Sequence, residues 1–183
     1  MENDTLLVRD ALVTSFVLLE ATQTVAKARE TLTQAGATYC IVTSAAGTPL
    51  ALAIAGALAA IPDPNTLLQA VSSVPAFIVD AETLLDQAVS FSAQTLVEHP
   101  EMAGLVVEGN DKVIGVLPRQ AIRQHAQRIK TRGGDITELA GIPLTRAKYF
   151  ICPEGDYKKL VIRYDPDDPP RCPIHDLALT KQE

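Results

Sequence analysis

The 183-residue chain is 47% hydrophobic and 21% charged, the balance of a folded protein with room for one good core and a small second unit. A net charge of −6, an aromatic content of 4% and the absence of Trp leave neither a basic field nor stacking platforms for nucleic acid. The most apolar run, Pro49 to Ile61, is short of the roughly 20 residues that a bilayer span needs. The opening MENDTLLVRD lacks the cationic and apolar regions of a secretory signal. Cys40, Cys152 and Cys172 form no even disulfide framework, so a reducing, cytoplasmic setting is expected.

In chain order, the first elements are a short β segment at Leu19-Glu20-Ala21 and a helical stretch from Thr24 to Gln34, with Val25, Ala28 and Leu32 on one face. Two apolar strands follow, Tyr39 to Val42 and Pro49 to Ala53, joined by the turn Ser44-Ala45-Ala46-Gly47, and a helix starts near Ala55. The same order then recurs. Val79-Asp80-Ala81 stands 60 positions after Leu19-Glu20-Ala21, and the helical stretch Leu84 to Gln94 carries Leu85, Ala88 and Ser92 on its face. The strands Gly104 to Val107 and Lys112 to Leu117 flank the turn Glu108-Gly109-Asn110-Asp111, and a last helix starts near Arg119. Each copy is β-α-β-β-α, and copies at 1–64 and 65–132 account for most of the chain.

This order resembles the CBS domain, named for cystathionine β-synthase, which normally occurs as a tandem pair. The resemblance spans about Leu7 to Ile129. It is carried by Val8-Arg9-Asp10-Ala11-Leu12, similar to the family's V-x-D-x-M opening, and by GLVVEGNDKVIGVLPRQAI in copy two. The resemblance implies clefts that take adenosyl nucleotides such as AMP, ATP or S-adenosylmethionine. Ligand-binding copies end their last strand with G-h-h-[ST]-x-x-D, whose hydroxyl meets phosphate and whose acid accepts from ribose. Here Gly115 keeps the glycine, but Pro118 and Ala121 replace the hydroxyl and the acid, and copy one has none of the three at Ala51, Ile54 and Ala57. The remaining nucleotide candidates are Asp10, Phe77 (or Val17) as an apolar wall, Gly115, and Arg119 as a charge-assisted phosphate contact. The alternative is a dimerisation or docking platform whose clefts have lost their ligand. Arg119, Arg123, Arg128, Lys130 and Arg132 form either a solvated helix surface or a face for an acidic partner.

Gly133-Gly134 breaks the helical pattern, and Ile136 to Leu139 is expected to form one helical turn. The tail at 136–183 reads as a β-hairpin with two Cys-Pro turns, around Cys152-Pro153 and Cys172-Pro173, linked by the strand Lys159 to Tyr164 and the loop Asp165 to Pro170. It resembles a zinc ribbon, in which two C-P-x-[CH] knuckles supply four ligands to Zn²⁺. Cys172 and His175 fit the second knuckle; in the first, Gly155 stands where a second Cys belongs. The resemblance implies a ligand set of Cys152, Cys172 and His175, with Asp156 as the fourth because carboxylate oxygen is an accepted ligand. A ribbon that kept its shape after losing the metal, and an open three-ligand site with water, are the other readings. Cys40 reads as packing, His99 as a helix-end cap and His125 as solvated. There is no nucleophile–base pattern, G-x-G-x-x-G or Walker loop, so an enzyme is not expected. The expected fold class is therefore α+β, a tandem CBS pair with a small zinc-ribbon-like hairpin tail. The expected function is a homodimeric adaptor for a protein partner, or a sensor of an adenosyl nucleotide.

Overall fold

The structure is a computed structural model that describes residues 6–71, 75–131, 148–154, 158–161, 169, 171–172 and 174–181. The first repeat is β1 (Phe16–Glu20), α1 (Val25–Ala35), β2 (Tyr39–Thr43), β3 (Pro49–Ile54) and α2 (Ala55–Ala59). The second is β4 (Ile78–Asp80), α3 (Leu85–Glu98), β5 (Gly104–Gly109), β6 (Lys112–Pro118) and α4 (Arg119–Thr131). Both form three-stranded sheets in sequence order, with a parallel first pair and an antiparallel second. The α+β class and the duplicated β-α-β-β-α order follow the sequence reading.

Local chemistry sets the ends of the elements. The Thr24 hydroxyl accepts from the Lys27 N–H at the start of α1, and Gly36, at φ 60°, turns the chain out of the helix where a Cβ would strain it. The hairpins reverse through Gly47 at φ 83° and through Asn110 and Asp111 at φ 53° and 58°. The apolar faces then divide the cores. Val25, Ala28 and Leu32 pack with Cys40 and Val42 in the first repeat; Leu85, Ala88 and Val89 pack with Leu105, Val107 and Leu117 in the second.

Strands β2 and β5 read as apolar runs because both faces are buried there. Cys40 and Val42 face the helices, and Ile41 between them faces the other way. In β5 the helix side is Leu105 and Val107, and Val106 takes the opposite side. Ile41, Ile78, Val106 and Val116 thus belong to a third apolar cluster, formed on the faces turned away from the helices.

The repeats exchange their leading segments. The 3₁₀ turn Val8–Asp10 lies on the second repeat: Leu7 bridges Leu84, the Val8 N–H donates to Thr83 O at 2.9 Å and the Arg9 N–H to Ala81 O at 3.1 Å. The turn Leu68–Ala70 lies reciprocally on the first: Leu67 bridges Thr24, the Leu68 N–H donates to Gln23 O and the Gln69 N–H to Ala21 O. Every partner is displaced by the same 60 positions. Val8 and Leu68 are fully buried by this exchange, so each hydrophobic core contains residues from before the other repeat.

The tail forms a three-stranded sheet in the order β8 (Lys158–Val161), β7 (Lys148–Ile151), β9 (Thr180–Lys181), antiparallel throughout. The hairpin was expected; β9 was not. The expected Gly133-Gly134 hinge, the turn at Ile136 to Leu139, the residues Ile162 to Tyr164 of the expected strand and the loop from Asp165 lie outside the described residues, apart from Pro169. Among the described residues, no helix is long and apolar enough to cross a membrane.

Burial pushes the Cys40 thiol up from 9.0 to about 11. A thiol held neutral in the fold but free to ionise when unfolded contributes stability that is complete below pH 9 and lost as pH rises toward 11. Between pH 7.5 and 10.5 the loss from Cys40 is expected to be on the order of 2 kcal/mol. Urea unfolding of wild type and Cys40→Ala at both pH values checks this, and an equal loss in the two proteins would refute it. Tyr39, raised by the same burial, contributes a remainder of the same sign in both.

Candidate functional site

Two places gather the residues singled out above. The first is a cleft at the entrance of the second repeat. It is lined by Leu52 of β3, by Pro75, Ala76 and Phe77 leading into β4, and by Glu101 to Gly104 between α3 and β5. It is small and open to solvent, with a cavity of about 30 Å³. The Phe77 ring stands 5.8 Å from that of His99, tilted by 41°, and His99 lies 3.7 Å from the Glu101 carboxylate. Gly104 is needed here because a Cβ would come 2.4 Å from Leu117 O and 3.1 Å from Pro118 Cα. Glu101 is the charged side chain of this lining, and sequence reasoning passed over it because its only signal is a position in a loop.

Of the four nucleotide candidates, Phe77 alone lines this cleft. Arg119 is directed at the end of α3, where its guanidinium donates to Leu96 O at 3.1 Å, His99 O at 3.3 Å, Met102 O at 3.4 Å and Pro100 O. A helix ends on unpaired carbonyls, and a planar five-donor side chain suits them. Arg29 does the same for α2, donating to Leu58 O, Ala59 O and Ile61 O. Asp10 accepts from the Leu7 N–H at 2.9 Å and closes its own turn. Gly115 makes room for the leading segment, since a Cβ would lie 2.7 Å from Leu12 Cδ1 and 2.9 Å from Val13 O. Three of the four therefore have structural partners at the places where the resemblance implied ligand contacts. His125, expected in solvent, is half-buried with Nε2 2.5 Å from Asp86. His99 is the C-cap residue of α3, as expected.

The second place is in the tail. Cys152 follows β7, and Cys172 opens a knuckle in which its N–H donates to Leu177 O and its carbonyl accepts from the Asp176 N–H. The ligand atoms of Cys152, Cys172 and His175 lie within 4.8 Å of one another. His175 Nδ1 is 3.4 Å from Cys152 Sγ and 3.8 Å from Cys172 Sγ. Zn–S bonds of about 2.3 Å and a Zn–N bond of about 2.05 Å at a tetrahedral angle set S···N at about 3.6 Å. The spacing and the soft donors therefore fit a thiophilic divalent ion. Both thiols are buried and His175 is exposed. Asp156 lies outside the described residues.

The two three-stranded sheets give a mixed α+β fold like that of CBS domain pairs of known structure. A CBS domain pair solved with 5′-methylthioadenosine and S-adenosyl-L-methionine is similar in structure, with a TM-score of 0.51 and 13% identity over 67% of this chain and 97% of that one. An uncharacterized conserved protein from Pyrococcus horikoshii is similar at a TM-score of 0.50 and 9% identity, over 69% of this chain and 96% of that one. The soluble part of a magnesium transporter is similar at a TM-score of 0.50 and 18% identity, over 69% of this chain and 49% of that one. No protein-family model matches the sequence, and no curated protein matches it. At these identities the likeness is one of fold.

Proposed function

We propose that the protein is a non-enzymatic, cytoplasmic regulatory adaptor: a homodimeric CBS pair that presents a zinc-braced tail to a protein partner. The observation that supports this reading is the engagement of Arg119 by the carbonyls of Leu96, His99, Pro100 and Met102, which holds the expected phosphate-binding cation at the end of α3. Asp10 and Gly115 support it in the same way. Zn²⁺, when bound, would act as a structural cross-link rather than a Lewis acid, held by Cys152, Cys172 and His175. Asp156 is the proposed fourth ligand.

A second reading, a sensor of an adenosyl compound, is favoured by the cleft at Phe77. Its charged lining residue is the Glu101 carboxylate, which suits ribose hydroxyls or a sulfonium better than a phosphate. AMP, ATP and S-adenosylmethionine all carry those ribose hydroxyls, so this reading takes any of the three as its ligand.

Thermal unfolding of the whole chain with each of the three compounds separates the two. A ligand at a hundred times its Kd adds about 2.7 kcal/mol, which is several degrees of Tm at this chain length. The adaptor reading expects a dimeric mass by light scattering and no shift with any compound. A shift with any of the three replaces it with the second reading, and no shift with any of them sinks the second.

A further inference from the structure

The tail is not packed only on itself. Phe150, Cys152, Cys172 and Leu179 belong to the same buried cluster as Ile41 of β2, Ile78 of β4, Val106 of β5 and Val116 of β6. Strand β8 lies against β4. The tail thus covers apolar sheet residues that the helices leave open. Its own architecture is slight: two four-residue strands and one of two residues. Sheets of this size do not hold their shape in water without a staple.

We infer that ion binding at Cys152, Cys172 and His175 docks the tail onto the sheet faces of the CBS pair, so that metal loading decides whether those faces are covered. The inference rests on the zinc reading above and adds a regulatory consequence to it. One ion joins the end of β7 to a knuckle twenty positions further on and closes the intervening loop. The two thiols it holds are each 1% exposed and sit within the shared cluster, beside Phe150 and Leu179. Losing the ion removes the cross-link at the point where the tail meets the sheets. The effect has a path to the cleft, because Ala76 belongs to the shared cluster and also lines the cleft, and Leu52 packs on the one while lining the other.

The test uses the full chain, dialysed against chelator and then given one equivalent of Zn²⁺ or Co²⁺. Co²⁺ should bind once per chain with the near-ultraviolet absorption of thiolate ligation. Amide hydrogen exchange in β4 and β5 should slow by about tenfold or more on loading. Cys172→Ser should lose the absorption and exchange as the ion-free protein does, with or without Zn²⁺. His175→Gln changes an exposed ligand and leaves both buried thiols in place, so it should fold, bind more weakly and require more Zn²⁺ for the same protection. An ion that binds through thiolates while β4 and β5 exchange unchanged overturns the coupling and leaves the zinc reading standing. No thiolate-ligated ion at all overturns both.

Discussion

Gly115→Val is expected to lower the free energy of unfolding by about 4 kcal/mol, a size that only a named steric fault or an unsatisfied buried group reaches. The added Cβ would stand 2.7 Å from Leu12 Cδ1 and 2.9 Å from Val13 O, and the second of these is backbone. Val13 cannot simply step aside, because it pairs with Val116 through N–H···O bonds of 2.8 and 2.9 Å in both directions. Relief therefore means detaching the leading segment from β6, which also draws Val8 out of the second core. Gly56→Ala is the control: a Cβ there meets nothing within 4 Å, and the change should fall within about 1 kcal/mol of wild type. Urea unfolding followed by circular dichroism measures both. Wild-type stability in Gly115→Val would return Gly115 to the ligand-approach role that the family resemblance implies.

Arg119→Ala is expected to cost about 3 kcal/mol, since charge-assisted hydrogen bonds to partly buried carbonyls contribute 1.5–3 kcal/mol and several lose their donor together. The carbonyls of Leu96, His99, Pro100 and Met102 then compete for water at a helix end packed above the second core. Arg119→Lys should recover about half of the loss, because an ammonium keeps the charge but not the planar fork. Hydrogen exchange at residues 96–102 should rise before the rest of the chain unfolds. A side chain kept for a ligand would behave otherwise, with stability unchanged and ligand affinity lost.

Both variants concern residues that sequence reasoning assigned to a nucleotide. Their structural partners were not legible for a physical reason: Arg119 and Gly115 were judged from their places in a strand-end pattern, while those partners are 17 to more than 100 positions away along the chain. A guanidinium at the first turn of α4 is one residue type with two uses. Only the position of the α3 terminus selects between them.

The repeat itself was legible. Leu19-Glu20 and Val79-Asp80 end equivalent strands 60 positions apart, with Ala21 and Ala81 just beyond them, and the turns at Gly47 and at Asn110-Asp111 carry the positive φ their sequences suggest. The helix faces at Val25, Ala28, Leu32 and at Leu85, Ala88, Ser92 are all buried. Ser92 kept its place by donating its hydroxyl to Ala88 O at 2.6 Å within its own helix. These features depend on backbone conformation and on the period of a single element, both of which are local and therefore written in neighbouring residues. The grouping of Cys152 with Cys172 and His175 was legible too, because thiol and imidazole at knuckle spacing carry a specific chemistry.

What packing decided was which surface each element meets. That Val8 enters the second core and Leu68 the first follows from two segments crossing, and nothing in either segment names its partner. That Cys152 and Cys172 share a buried cluster with Ile78 and Val106 follows from the tail folding back onto the sheets. Hydrophobic burial is non-directional, so a local pattern states that a face will be covered without stating by what. The duplicated modules and the hairpin of the tail could be read along the chain; the exchange of leading segments and the covering of the sheets by the tail arise only where distant residues meet.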